Sequence, residues 1–195
     1  MRKLILATTN PNKVYEVQSA LAGLHEWQVV TQPATIPSIE ETGTTFVDNA
    51  ILKAVHTSRI VDDLVLADDS GLCVDALDGR PGVYSNRYAA TDAERIQRLL
   101  TELRPIDEER RTAAFVCALA LAQRGSVIWT GEGRVDGRIH QAPKGTHGFG
   151  YDPIFFVPEF QRTMAELTIG EKNRISHRGR ALQELVRHFA GSGRL

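Results

Sequence analysis

The sequence predicts an α/β fold, and three observations predict it. A short apolar run, residues 4–7, passes through a polar turn into a helix start. A second such run, residues 64–67, ends in two aspartates. Residues 112–123 are almost wholly apolar, as in a central strand buried on both faces.

Each element follows from local chemistry. Residues 4–7 read as a buried strand and Thr8-Thr9-Asn10-Pro11-Asn12-Lys13 as the turn after it. Asn10 before Pro11 marks a helix start, with Asn as N-cap and Pro in the first turn. Val14, Val17, Leu21 and Leu24 then form an apolar stripe that buries one face. Residues 27–31 read as a strand, and the Pro-containing residues 32–43 as a long loop bearing Glu40 and Glu41. Thr45-Phe46-Val47-Asp48 is similar to a capping box with Asp in place of Glu. Its helix is expected to bury Phe46, Ala50, Ile51, Ala54 and Val55, with Asn49 and Lys53 together on the other side. Residues 64–67 form the next strand and deliver Asp68 and Asp69 at its carboxyl end, where α/β sheets place ligands.

Thr91-Asp92-Ala93-Glu94 is a second capping box; its helix, apolar at Ile96, Leu99, Leu100 and Leu103, reads as purely structural. Along residues 112–123, Phe115, Cys117, Leu119 and Leu121 alternate with smaller residues, and a partner strand is expected around 127–130. Gly145, Gly148 and Gly150 punctuate a loop before the apolar residues 154–157. Ser176 is expected to cap a last helix buried through Ala181, Leu182, Leu185, Val186 and Phe189. With no internal repeat, low-complexity tract or flexible linker, the 195 residues read as one domain, a length that also accommodates two lobes around one sheet.

Composition narrows the function. Lys+Arg is 23 and Asp+Glu 24, a formal charge of -1, so no global basic field holds nucleic acid or a membrane surface. A small substrate suits that balance. Cys73 and Cys117 each sit in an apolar stretch, as reduced core cysteines do, which argues against a disulfide framework. Met1-Arg2-Lys3 precedes only a four-residue apolar run, short of a signal-peptide core, and no segment approaches a membrane span. A cytoplasmic location is expected.

Three stretches carry chemistry. The turn before the first helix offers backbone N–H donors with Lys13 as positive charge, as a phosphate site requires, although the same residues serve an ordinary capped surface helix. There is no G-x-x-x-x-G-K-[ST] run, so this is not a Walker P-loop. Glu40, Glu41, Asp68 and Asp69 are candidate ligands for Mg2+, which takes one or two protein carboxylates with waters and substrate phosphate. Adjacent strand residues face opposite sides, so only one of Asp68 and Asp69 would face a site directly. The 144–152 loop offers Phe149 or Tyr151 as a stacking surface, against the alternative that both enter the core. Lys172, His177 and Arg178 form a basic segment that reads either as a base or anion contact or as a solvated turn, the latter slightly favoured by pattern. His140 and His147 lack a short-range Cys or His partner for zinc.

Taken together these stretches resemble the inosine/xanthosine triphosphate pyrophosphatase family. The resemblance runs through six motifs in order: Thr8 to Lys13; Glu40-Glu41-Thr42-Gly43 through Asn49-Ala50; Ala67-Asp68-Asp69-Ser70-Gly71-Leu72; Pro81-Gly82-Val83-Tyr84-Ser85-Asn86-Arg87-Tyr88; Phe149-Gly150-Tyr151-Asp152-Pro153-Ile154-Phe155; and Glu171-Lys172-Asn173 with Ser176-His177-Arg178-Gly179. It implies an elongated twisted mixed β-sheet flanked by helices, with a substrate cleft between two lobes, and a homodimer. It also implies Mg2+-dependent cleavage of ITP, dITP or XTP to the monophosphate and pyrophosphate.

Carried over by motif, Thr8, Thr9, Asn10, Pro11, Asn12 and Lys13 would hold the phosphates with Lys53 and Ser70, while Glu41 and Asp69 would bind the metal. Asp69 is the implied proton acceptor; a metal-bound oxygen is a poor base, which leaves its second oxygen or Asp68 for that role. Phe149, Gly150, Tyr151, Asp152, Lys172, His177 and Arg178 would surround the base. Thr9 stands where the family commonly has glycine, and Asp48 where Glu is frequent. Two rivals stand beside this reading: a phosphohydrolase releasing orthophosphate through an aspartyl-phosphate, which would want Asp-x-Asp ending the first strand, and a non-catalytic nucleotide sensor.

Overall fold

A computed structural model describes residues 2–191. Five helices flank a seven-stranded mixed sheet ordered β2-β1-β3-β4-β5-β6-β7. The strands are β1 (Arg2–Leu6), β2 (Trp27–Thr31), β3 (Leu64–Val74), β4 (Thr112–Gln123), β5 (Ser126–Ile139), β6 (Phe155–Val157) and β7 (Arg162–Thr163). The helices are α1 (Pro11–Ala20), α2 (Phe46–Ser58), α3 (Asp92–Glu102), α4 (Ile169–Ile175) and α5 (His177–Gly191). Only β1 with β2 and β1 with β3 pair in parallel; the rest of the sheet is antiparallel.

The alternation along β4 sorts the helices. Cys117, Leu119 and Leu121 face one side, where they pack with Leu4, Leu6 and Leu66 under Val17 of α1 and Leu182, Leu185 and Phe189 of α5. Ala118, Ala120 and Ala122 face the other, and these small side chains let α2 approach through Ala50 and Ala54. Farther along the sheet, Leu99 and Leu103 of α3 pack with Leu72, Phe115 and Ile139.

Several boundaries differ from the sequence reading. The second strand does not stop at residue 67: β3 continues through Asp68, Asp69 and Ser70 to Val74, because antiparallel β4 runs in unbroken register beside it from Val65 to Val74. The aspartates therefore lie in mid-strand. They still lie just beyond the parallel part of the sheet, since β1 stops at Leu6, opposite Leu66. The strand expected around residues 127–130 is the start of the much longer β5. Helix α4 was not expected; its signal is the capping box that Thr168 forms with Glu171. Ser176, which ends α4, also accepts from the Gly179 backbone N–H at 3.1 Å, the expected cap of α5. Thr45 caps α2 through Asp48 N, but the shorter Asp48 carboxylate accepts from the Thr45 hydroxyl at 2.6 Å and not from its backbone. Phe46, Ile51 and Val55 are only partly buried, while Asn49, placed on the other side by sequence, is fully buried.

Candidate active site

A pocket opens where β1 has ended, lined by Asn10, Asn12 and Lys13 from the start of α1, Glu41 from the long loop, Asp69, Ser70 and Gly71 from β3, and Ser85 and Asn86. Its other wall is Asp92 and Arg95 of α3, Phe115, residues 149–152, Lys172, His177 and Arg178. The two aspartates of β3 organise opposite faces of the sheet beside it.

On the α2 face, Asp69 accepts from Lys53 Nζ at 2.8 Å and from Asn49 Nδ2 at 3.2 Å. Lys53 also donates to Glu41 Oε1 at 2.6 Å, so one ammonium bridges two carboxylates. Asn49 is fixed in turn, since its Oδ1 accepts from Gly43 N at 2.8 Å. Spacing explains the convergence: residues 49 and 53 are one helical turn apart and both reach β3. Burial raises the Asp69 pKa against the pull of Lys53. Glu41 is held below the usual carboxylate range, because Lys53 outweighs its burial.

On the α1/α5 face, buried Asp68 lies in a largely buried charge ladder. Its Oδ2 accepts from Arg178 Nε at 3.2 Å and Nη2 at 3.0 Å, and its Oδ1 lies 3.1 Å from Lys13 Nζ. Arg178 Nη2 also donates to Ser70 Oγ at 2.9 Å, and Nη1 to Glu16. Glu16 accepts from Lys172 Nζ at 2.6 Å, and Lys172 donates on to Asp152 Oδ2 at 2.5 Å. Burial disfavours the Asp68 carboxylate, but Lys13 and Arg178 outweigh it and hold its pKa far below the usual range. Burial likewise opposes the Lys172 ammonium, and Asp152 with Glu16 keeps it charged.

The Phe149 ring lies beneath these cations, its centroid 5.1 Å from Lys172 Nζ and 5.8 Å from the Arg178 guanidinium carbon. Phe149 N donates to Asp152 Oδ2 at 2.9 Å, and Tyr151 Oη to Ser85 O at 3.0 Å. Gly148 is required here: its φ is +76°, and a Cβ would stand 2.1 Å from Asp152 Oδ2. His177 stacks on Phe115 with centroids 4.7 Å apart. Its Nδ1 is buried without a partner, and burial together with Arg178 and Lys172 keeps the ring neutral.

Most sequence candidates converge. Asn10, Asn12, Lys13, Glu41, Asp69, Ser70, Phe149, Gly150, Tyr151, Asp152, Lys172, His177 and Arg178 line the pocket, and Lys53 touches it through Glu41 and Asp69. Thr8, Thr9 and Pro11 are not in its lining. The backbone N–H groups of Asn12 and Lys13 are taken by the Asn10 side chain at 2.9 and 3.3 Å, so that turn presents side chains to the pocket. Glu40 is exposed and Glu41 faces inward. The solvated-turn reading of Lys172, His177 and Arg178 is overturned: all three are buried, Lys172 and Arg178 because carboxylates from α1, β3 and residue 152 meet them, and His177 as a neutral ring stacked on Phe115. Helix α3 is not purely structural, since Asp92 and Arg95 border the pocket. Glu16 went unnoticed in sequence; its only signal was a glutamate beside Val17 on the buried stripe of α1. Ser85, Asn86 and Phe115 also carried no individual signal.

The Glu41 and Asp69 carboxylates, with the paired Lys13 and Lys53 ammonium groups beside them in a walled pocket, suit a small polyanion with a hard cation. Among the described residues no group of three or more His, Cys, Asp or Glu side chains forms a metal cage. Glu41 with Asp69 nevertheless matches what Mg2+ takes from a protein.

Fold and site thus define a mixed-sheet α/β protein with a binding pocket for a small anionic ligand bearing an aromatic-stacking part. The chain belongs to the Ham1 family, which matches it over residues 4–188. It is 48% identical over 189 residues to the dITP/XTP pyrophosphatase of Bacillus subtilis strain 168, covering 95% of this chain and 96% of that protein. It is 51% identical to the dITP/XTP pyrophosphatase of Gloeobacter violaceus, covering 95% and 93% respectively. A solved HAM1 protein from Coxiella burnetii superposes with a TM-score of 0.88 at 46% identity, over 98% of this chain and 100% of that one.

Proposed function

We propose that the protein hydrolyses the non-canonical purine nucleoside triphosphates ITP, dITP and XTP to the monophosphate and pyrophosphate. The observation that carries this reading is the division of one pocket between an Asp69 side and a Phe149 side. One half offers carboxylates and ammonium groups to a polyphosphate, the other an aromatic ring and buried donors to a base. The names of the family relatives point the same way.

In this reading Asn10, Asn12 and Lys13 receive the phosphates, with Lys53 and Ser70 assisting. Glu41 and Asp69 would hold Mg2+, which when bound supplies positive charge at the phosphate oxygens. Asp69 takes the proton from a water attacking the α-phosphate, and pyrophosphate leaves as Lys13 and Lys53 balance its charge. Asp68 is a poor choice of base, because two cations, Lys13 and Arg178, hold its carboxylate far below the usual range, whereas burial raises Asp69. Phe149 stacks on the base, while neutral His177 with Lys172 and Arg178 lies where a 6-keto oxygen would need donors. A homodimer, which rests on the resemblance, and a cytoplasmic site of action, which rests on the two free cysteines, belong to the same proposal.

The test is pyrophosphate release from ITP, dITP, XTP, GTP and ATP with Mg2+. Release from the first three well above GTP and ATP is expected. Equal rates across the five would sink the proposed selectivity, orthophosphate as product would favour a phosphohydrolase, and binding without turnover would favour a sensor.

A further inference from the structure

The turn that carries Phe149 is flanked by glycines in the left-handed region, Gly148 at φ +76° and Gly150 at +61°, and residues 141–148 are exposed. Within the loop, Phe149 N donates to Asp152. Other elements hold it too: Thr146 N and His147 N donate to Ala165 O at 3.1 and 3.0 Å, and Tyr151 Oη to Ser85 O. Gly150 is tied from α3. Asp92, the first residue of α3, divides its carboxylate: Oδ1 accepts from Arg95, and Oδ2 accepts from Gly150 N at 2.8 Å. This bond spans 58 residues of sequence and lies at the exposed rim of the pocket.

We propose that Asp92 is a positioning residue that latches the 148–150 turn to α3 and thereby sets how tightly the pocket holds its nucleotide. It acts through Gly150 on the adjoining Phe149 ring, over which the Lys172 and Arg178 cations lie. A charge-assisted bond to a backbone N–H is among the stronger single ties available to a loop. Asp92 bonds to Arg95 and Gly150 and to none of Glu41, Lys53 or Asp69, so its loss changes affinity and leaves the chemical step intact. This inference rests on the nucleotide reading of the pocket, but its structural half does not.

The test uses Asp92→Ala, Asp92→Asn and Glu94→Ala in the full chain. Glu94 closes the capping box of the same helix on Thr91 N without lining the pocket, so it reports simple loosening of α3. In Asp92→Ala, amide exchange at Gly150 should accelerate about tenfold in the free protein, and KM for ITP should rise about tenfold with kcat within about twofold. Asp92→Asn retains an oxygen acceptor and should restore both; Glu94→Ala should leave both unchanged. Unaltered exchange in Asp92→Ala, or equal acceleration in Glu94→Ala, overturns the latch whether or not ITP is turned over. Faster exchange with unchanged KM, or a fall confined to kcat, overturns its role in affinity. A wild-type protein that releases pyrophosphate from none of the triphosphates removes the nucleotide reading instead, while the exchange measurement still judges the latch.

Discussion

Asp68 and Asp69 are neighbours in β3 whose carboxylates serve opposite faces of the sheet, Asp68 bound by Arg178 and Lys13, Asp69 by Lys53 and Asn49. The same substitution should therefore have opposite signatures at the two positions. Asp69→Asn should lower kcat at least roughly a hundredfold, the low end for lost acid-base catalysis, with little loss of stability. Asp68→Asn leaves buried Arg178 short of a counter-charge and should destabilise by about 3–5 kcal/mol. Denaturant titration beside ITP turnover separates the two, and near-normal turnover in Asp69→Asn would remove that residue from the mechanism.

Glu16 is the hinge of the buried ladder, joining Lys172 to Arg178. Both cations outweigh its burial and keep it ionised. Glu16→Gln keeps the shape but leaves two buried cations sharing less negative charge, so a loss of about 3 kcal/mol or more is expected. The cations that carry the Phe149 contact should shift with it and raise KM. Stability within about 1 kcal/mol of wild type would show that Asp68 and Asp152 suffice.

The contrast between Asn10 and Glu16 shows what sequence can hold. The Asn10 cap, the Thr91 box and the alternation along β4 are set by residues a few positions apart, and each was legible. Glu16 meets Lys172 across 156 positions and Arg178 across 162, a pairing that no local pattern encodes. Lys172 and Arg178 looked solvated for the same reason: their counter-charges lie on other elements. The run Asp68-Asp69-Ser70 looked like a strand end because polar residues normally close a buried strand. Here β4 continues the hydrogen-bond ladder and cations from both faces compensate the charges. Motif order supplied the site residues that periodicity could not.

His177 should make stability depend on pH. Burial, Arg178 and Lys172 hold its folded pKa well below the ordinary 6.5. As pH falls below 6.5 the unfolded chain takes up a proton that the folded chain refuses, so stability is complete above that value and declines down to the folded pKa. The slope approaches about 1.4 kcal/mol per pH unit. His177→Phe preserves the stack on Phe115 and removes the titration. Urea midpoints at several pH values between 7.5 and 5 (roughly the physiological histidine range) should fall in wild type and stay flatter in the variant; parallel curves would assign the effect elsewhere.

Gly133 ties the fold to the site at one point of contact. It lies in β5 beneath the start of α5, and a Cβ there would stand 2.0 Å from His177 O and 2.5 Å from Ala181 N. Both atoms are backbone, so no rotamer change relieves the overlap and α5 must lift from the sheet. Overpacking of this kind costs about 1–3 kcal/mol. The displaced segment begins with His177 and Arg178, so Gly133→Ala should also raise KM for ITP, where an equally destabilising change remote from α5 would not. Gly23→Ala controls for the added methyl itself, because nothing lies within 4 Å of it. If Gly133→Ala behaves like Gly23→Ala in both unfolding and KM, the close approach of α5 to β5 does not position the two residues that begin that helix.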